Sequence, residues 1–217
     1  MGIGLDELLR LRPFAYHTSG RVNFESIRDC ATISSAQGLV RGTSQEDLLG
    51  GIRSKPCSVR VNGRDVLIRD QKPLRPGSMR LEPGTTLRDY VRELNRRVFL
   101  WPGTSRRLVA AGRGHFELYR REGRVFVIRA PLRSLLAANP KRELFLTKCN
   151  SGSARHHSGQ PVQRGPGTFH RLNEATFRAS KVVEFSFIER IDLPHDTEFS
   201  EFLDGPWRLL RAGSSQR

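Results

Sequence analysis

The run from Ala179 to Ile188 constrains this chain most. Val182, Val183, Phe185, Phe187 and Ile188 surround a single acidic residue, Glu184. β-branched and aromatic residues at this density suit a pleated strand packed against neighbours. An ionised carboxylate in such a strand needs a partner, because burying an unpaired charge is costly. Two arrangements satisfy the sequence. Either period-2 alternation turns Glu184 to solvent from an edge strand, or the fold keeps the carboxylate inside for chemistry.

The other apolar runs are equally short. Val98 to Trp101 is stopped by Pro102 and Gly103, Val125 to Arg129 reads as a second buried strand, and Leu144 to Thr147 as a third. Ser58 to Val61 and Asp65 to Arg69 flank Asn62 and Gly63 and read as a hairpin with Arg69 at its end. A further strand is expected over Phe14 to His17, then a polar turn and a helix from about Val22. Thr85 or Thr86 caps a helix with Leu87, Val91 and Leu94 on one face. Shorter helices are expected over 5–11, from about Thr104 to Ala111, and after Pro131. Short strands interleaved with short helices over 217 residues imply one α+β core rather than two domains. The expected division is a short N-terminal helix over 1–13, the main domain over 14–197, and a C-terminal helix with a flexible tail over 198–217.

Charge directs attention to polyanions. Lys and Arg number 37 against 22 Asp and Glu, a formal net charge of +15, which favours nucleic acid or anionic cofactors. Many of the basic residues are Arg, whose planar fork suits phosphate. From Cys149 to Thr168 the chain is polar, rich in Gly and Pro, and basic; Arg155, His156, His157, Arg164 and Arg171 in and beside this loop suit a phosphate backbone. His156 and His157 lack a third ligand at helical or hairpin spacing, so no metal is expected. Three widely spaced cysteines without a CxxC pair argue against a disulfide framework and point to a reducing interior. With no signal-like segment and no long apolar run, a soluble cytoplasmic protein without membrane contact is expected. A Walker A motif, a GxGxxG helix start and a GxSxG elbow are all missing.

Four blocks in order carry a resemblance. They are Tyr16-His17-Thr18 with Asn23, Ser26-Ile27 and Gly38-Leu39; Pro83 to Val91; Leu144 to Ser151; and Arg178 to Pro194. Together they resemble the DarT-like branch of the ADP-ribosyltransferase fold, whose late strand bears a catalytic glutamate. The resemblance implies a single domain with a split, mainly antiparallel central sheet flanked by short helices, and NAD as substrate. It places His17, Thr18 and Asn23 on the cofactor, with His17 and Thr18 on the nicotinamide side. Arg69 would hold the pyrophosphate or orient the acceptor, although Arg53, Arg60, Arg64 and Arg75 lie close in sequence, and Glu184 would be the catalytic carboxylate. A carboxylate near the ribose can stabilise the oxocarbenium character that develops as the nicotinamide bond breaks.

The family's segment after the Thr-Leu helix is replaced here by Asn95 to Gly103, and that after the Leu-Thr strand by Lys148-Cys149-Asn150. DNA, RNA and protein acceptors therefore stay open, as does a toxin or phage-defence role with an antitoxin or immunity partner. Two other readings share the same charge and fold: a non-catalytic nucleic-acid-binding module, and an RNA 2′-phosphotransferase-like enzyme.

Overall fold

The computed structural model describes residues 2–75, 77, 79–153 and 163–211. Its centre follows from alternation. In β7 (Val125–Pro131), Phe126, Ile128 and Ala130 enter one apolar cluster while Val125 and Val127 enter another, so the strand is covered on both faces. The same holds for β6 (Arg97–Gly103), with Val98 and Leu100 on one side and Trp101 on the other. Strands of this kind need neighbours on each edge and layers above and below.

Both are supplied. With β1 (Phe14–Gly20), β8 (Phe145–Thr147), β10 (His170–Arg171), β11 (Glu184–Ile188), β13 (Glu198–Ser200) and β14 (Arg208–Leu209), these strands form an eight-stranded sheet in the order β10-β8-β11-β6-β1-β7-β13-β14. Every pairing in it is antiparallel. The fold is thus α+β, with a large antiparallel sheet flanked by short helices. Helices α1 (Leu5–Leu11), α2 (Phe24–Cys30) and α6 (Leu132–Ala138) place Leu8, Phe24, Ile27, Leu132 and Leu135 in the larger cluster. Helix α5 (Ala110–Glu122) covers the opposite face through Phe116 and Tyr119, and α4 (Leu87–Asn95) packs Tyr90, Val91 and Leu94 beside it in a third cluster. Thr86 caps α4 in a reciprocal box with Asp89.

Smaller pieces complete the molecule. β2 (Thr32–Ser34) pairs with β12 (Arg190–Asp192), β3 (Cys57–Val61) with β4 (Arg64–Ile68), and β5 (Arg80–Leu81) runs parallel to β9 (Gln163–Arg164). The β3–β4 hairpin turns on Asn62 and Gly63, both at positive φ. A short helix, α3 (Ala36–Val40), packs Val40 against that hairpin.

The ladder between β1 and β6 is incomplete. It covers only Phe14–Tyr16 against Gly103–Trp101, whereas β1 stays paired with β7 along its full length and Arg97–Leu100 of β6 pairs with β11. Beyond Tyr16 the sheet therefore parts between its two central strands.

Three expectations are corrected. The segment after Glu198 forms β13 and β14 rather than a helix, because β7 has an edge to fill and Phe199 packs on Phe24 with ring centroids 4.6 Å apart. The expected boundary at 197/198 thus falls inside the sheet. The helix expected from about Thr104 to Ala111 starts instead at Ala110 and runs to Glu122 through Gly112 and Gly114. A Cβ at Gly112 would lie 2.7 Å from the Trp101 ring, so glycine lets α5 approach β6 closely.

Candidate active site

The parted strands open into a cleft of about 860 Å³, walled by the ends of β1 and β6, by α2, by the β3–β4 hairpin, and by the start of β11. That volume lies in the range of about 300–1,000 Å³ usual for small-molecule and cofactor sites. Each strand at the split is paired on one side only, so backbone donors and acceptors of Thr18–Gly20 face the opening.

His17 stands where the strands diverge. Its Nδ1 donates to Phe99 O at 2.9 Å, a side chain spanning the gap that the ladder leaves. Burial pushes its pKa below the usual imidazole range, with only partial opposition from that hydrogen bond. The ring is thus neutral at pH 7, with Nδ1 protonated and Nε2 carrying a lone pair. Thr18 is buried beside it and its Oγ1 has no hydrogen-bond partner among the described residues.

Glu184 opens β11, which lies between β8 and β6 and so is an interior strand. The solvent-facing arrangement is thereby excluded: Glu184 is 2% exposed. Phe185 and Phe187 point into the main core, and Glu184 takes the other face, directly opposite Thr147. Its Oε2 accepts from the Ser151 amide at 3.0 Å and lies 3.3 Å from Thr147 Oγ1, a hydroxyl that also reaches Cys149 O at 2.6 Å. Among the described residues Oε1 has no hydrogen-bond donor. Burial drives the Glu184 pKa up to about 7, outweighing the opposing influence of Ser151, Thr147 and Arg164. A carboxyl balanced between its two forms at neutral pH is suited to proton transfer.

The arginines divide sharply. Arg69 lines the cleft, but its Nη2 donates to Glu122 at 2.6 Å and its guanidinium stacks 3.6 Å above the Tyr119 ring. Arg64 is tied to Asp29 at 2.7 Å. Arg53 has only neutral partners: Arg69 O at 3.1 Å, Leu48 O at 3.3 Å and Asn95 Oδ1 at 2.7 Å. No carboxylate among the described residues forms an ion pair with it, and burial lowers its pKa. Among the described residues it is therefore the cleft arginine with no carboxylate at ion-pair distance, Asp70 acting on it only from farther off. Sequence offered no ground for choosing it, since its distinction lies in what Asn95 and Glu122 do elsewhere in the chain.

His115, which no sequence motif singles out, lines the cleft from α5, tilted against Trp101 and edge-on to Tyr119 at 5.2 and 4.3 Å between centroids. Burial, followed by the proximity of His17 and the charge of Arg69, pushes its pKa down to about 3.

Asn23 also lines the cleft, but its amide is occupied. It donates to Leu67 O at 2.9 Å and to Ser19 Oγ at 3.1 Å and accepts from the Leu67 amide at 2.7 Å. This binds the β3–β4 hairpin to the end of β1, so Asn23 shapes the wall.

Of the residues expected to meet nucleic acid, Arg155, His156 and His157 lie outside the described residues. Arg164 is 2% exposed and spends its guanidinium on backbone carbonyls, so it offers nothing to a phosphate backbone. Arg171 is exposed on the edge strand β10, paired with Glu143 at 3.1 Å. Among the described residues no group of three His, Cys, Asp or Glu side chains is placed to hold a metal, and none of their helices is long and apolar enough to cross a membrane.

No curated protein and no solved structure matches the chain. One family model does, over residues 13–191, a span from the start of β1 into β12 that includes His17, Arg53 and Glu184. The chain belongs to that family, described as a family of unknown function (DUF7002).

Proposed function

We propose that this chain is an NAD-dependent ADP-ribosyltransferase whose acceptor is a nucleic acid. One observation carries the reading: the sheet parts at His17, and the cleft so opened is shared by a neutral imidazole and a buried glutamate poised near neutrality. In the reaction the bond between nicotinamide and ribose C1′ breaks, nicotinamide leaves with the electron pair, and an acceptor oxygen or nitrogen forms the new bond to C1′. Glu184 stabilises the developing positive charge and takes the acceptor's proton on Oε1. His17 Nε2 accepts a hydrogen bond from a ribose hydroxyl. Arg53 rather than Arg69 supplies the charge for the pyrophosphate, because Glu122 has already claimed Arg69. The net charge of +15 supports a polyanionic acceptor.

The test is transfer of label from adenylate-labelled NAD to single-stranded DNA, duplex DNA, RNA or a protein mixture. Glu184→Gln is expected to lower transfer by about 10²–10⁴-fold, with nucleic-acid binding retained. Equal transfer by the parent and Glu184→Gln, or binding with no transfer and no release of nicotinamide, overturns the reading. Release of a 2′-phosphate from RNA would favour the phosphotransferase alternative instead.

A further inference from the structure

The turn Asn150–Ser153 touches Glu184 and is itself gripped from two sides. From β9, Arg164 Nη2 donates to Asn150 O at 3.1 Å and to Ser153 O at 2.9 Å. From α4, the fully buried Tyr90 donates its hydroxyl to Ser151 O at 2.9 Å. Ser151 therefore has its carbonyl held by Tyr90 while its amide donates to Glu184 Oε2. A guanidinium this deeply buried, with no carboxylate within ion-pair distance among the described residues, is a costly way to brace a turn. Its field favours the ionised form of Glu184. The remaining titratable groups around the carboxylate do not compete. Burial raises the pKa of Tyr90 and pushes Cys149 up to about 11, His17 across the cleft is neutral, and Arg97 on β6 is matched by Glu93 at 3.1 Å.

We propose that Arg164 and Tyr90 are positioning residues for Glu184, acting through the Asn150–Ser153 turn to fix Oε2 on the Ser151 amide and leave Oε1 to the reacting groups. The inference rests on the reading of Glu184 as the catalytic carboxylate. Arg164 supplies charge and two carbonyl contacts, and Tyr90 supplies one hydrogen bond that orients the peptide. Loosening either withdraws support from the carboxylate ion, so Glu184 holds its proton to higher pH.

The experiment follows Glu184 by carbon NMR in protein labelled at glutamate carboxyls, with Glu184→Gln assigning the resonance. Tyr90→Phe and Arg164→Met are expected to raise its titration midpoint by about one pH unit, and Arg164→Lys, which keeps the charge, by less. Turnover of NAD should fall about five-fold at pH 7 in Tyr90→Phe and recover at pH 9, with KM unchanged, because only the ionised fraction changes. A merely structural role would lower activity at every pH and leave the midpoint alone. An unshifted midpoint in folded variants, judged by circular dichroism, overturns the proposal. Should Arg164→Met fail to fold, Tyr90→Phe, which deletes a single oxygen atom, decides the matter. Titration is read without substrate. A shifted midpoint in a protein that never consumes NAD thus supports the clamp and defeats the functional reading, whereas an unshifted midpoint with intact turnover defeats the clamp alone.

Discussion

Glu184 makes folding itself depend on pH. Its folded pKa of about 7 lies above the ordinary 4.5, so the native state binds the proton more tightly than the unfolded chain does. The associated stability is fully present below about pH 4.5 and is lost as pH rises through 7, a change of about 3 kcal/mol. Glu184→Gln should therefore melt close to the parent at pH 4.5 and clearly above it at pH 8, as thermal unfolding across that range would show. A flat difference between the two proteins would mean that the carboxylate is better solvated than its 2% exposure implies. The residue was visible as an anomaly in the sequence. That it faces inward became visible only with β8 and β6 on either side of it.

The β3–β4 hairpin shows how a wall of the site is attached. Among the described residues it pairs with no strand of the central sheet, and Asn23 imitates a ladder partner by donating to the carbonyl and accepting from the amide of the same residue, Leu67. Asn23→Ala leaves a buried donor and acceptor unsatisfied and should cost about 2–4 kcal/mol. The same change should speed amide hydrogen exchange in the hairpin more than in β6 or β7. Uniform acceleration would place Asn23 in the general core instead. Local signals had drawn this hairpin well, since Asn62 and Gly63 accept the positive φ that the turn needs. They failed for α5, where Gly112 and Gly114 resemble breakers. Trp101 demands a glycine there, and no local pattern reveals a demand made from another strand.

The protein's stability should form a plateau in pH with a distinct cause at each edge. His115, with a folded pKa of about 3 against an ordinary 6.5, and His17, lowered by burial as well, contribute stability that is present above 6.5 and lost as pH falls. Glu184 has the opposite slope over the overlapping range, so it opposes the histidines from about pH 4.5 to 6.5 and stability declines on either side. The lowered carboxylates Asp29, Asp89 and Glu189 are surface groups and add little. Urea midpoints measured from pH 3.5 to 8.5 should show a weakened acid limb in His115→Phe and lose the alkaline limb in Glu184→Gln. If both limbs survive both substitutions, other groups govern the profile.

The sequence by itself determined the elements whose causes are local. Alternation and β-branching marked the central strands, Thr85 or Thr86 marked the start of α4, and a carboxylate among Val183, Phe185 and Phe187 marked itself as exceptional. Tertiary structure decided what those elements are for. Whether Arg69 or Arg53 carries free charge depends on Glu122 and Asn95, far away along the chain. Whether Arg164 meets solvent or braces a turn depends on where Asn150 and Ser153 come to lie. The cleft exists because β1 and β6 stop pairing after Tyr16, a break in a ladder between residues more than eighty positions apart. Propensity and periodicity act over a few neighbours, whereas charge compensation, burial and strand divergence are set by whichever groups the folded chain brings together.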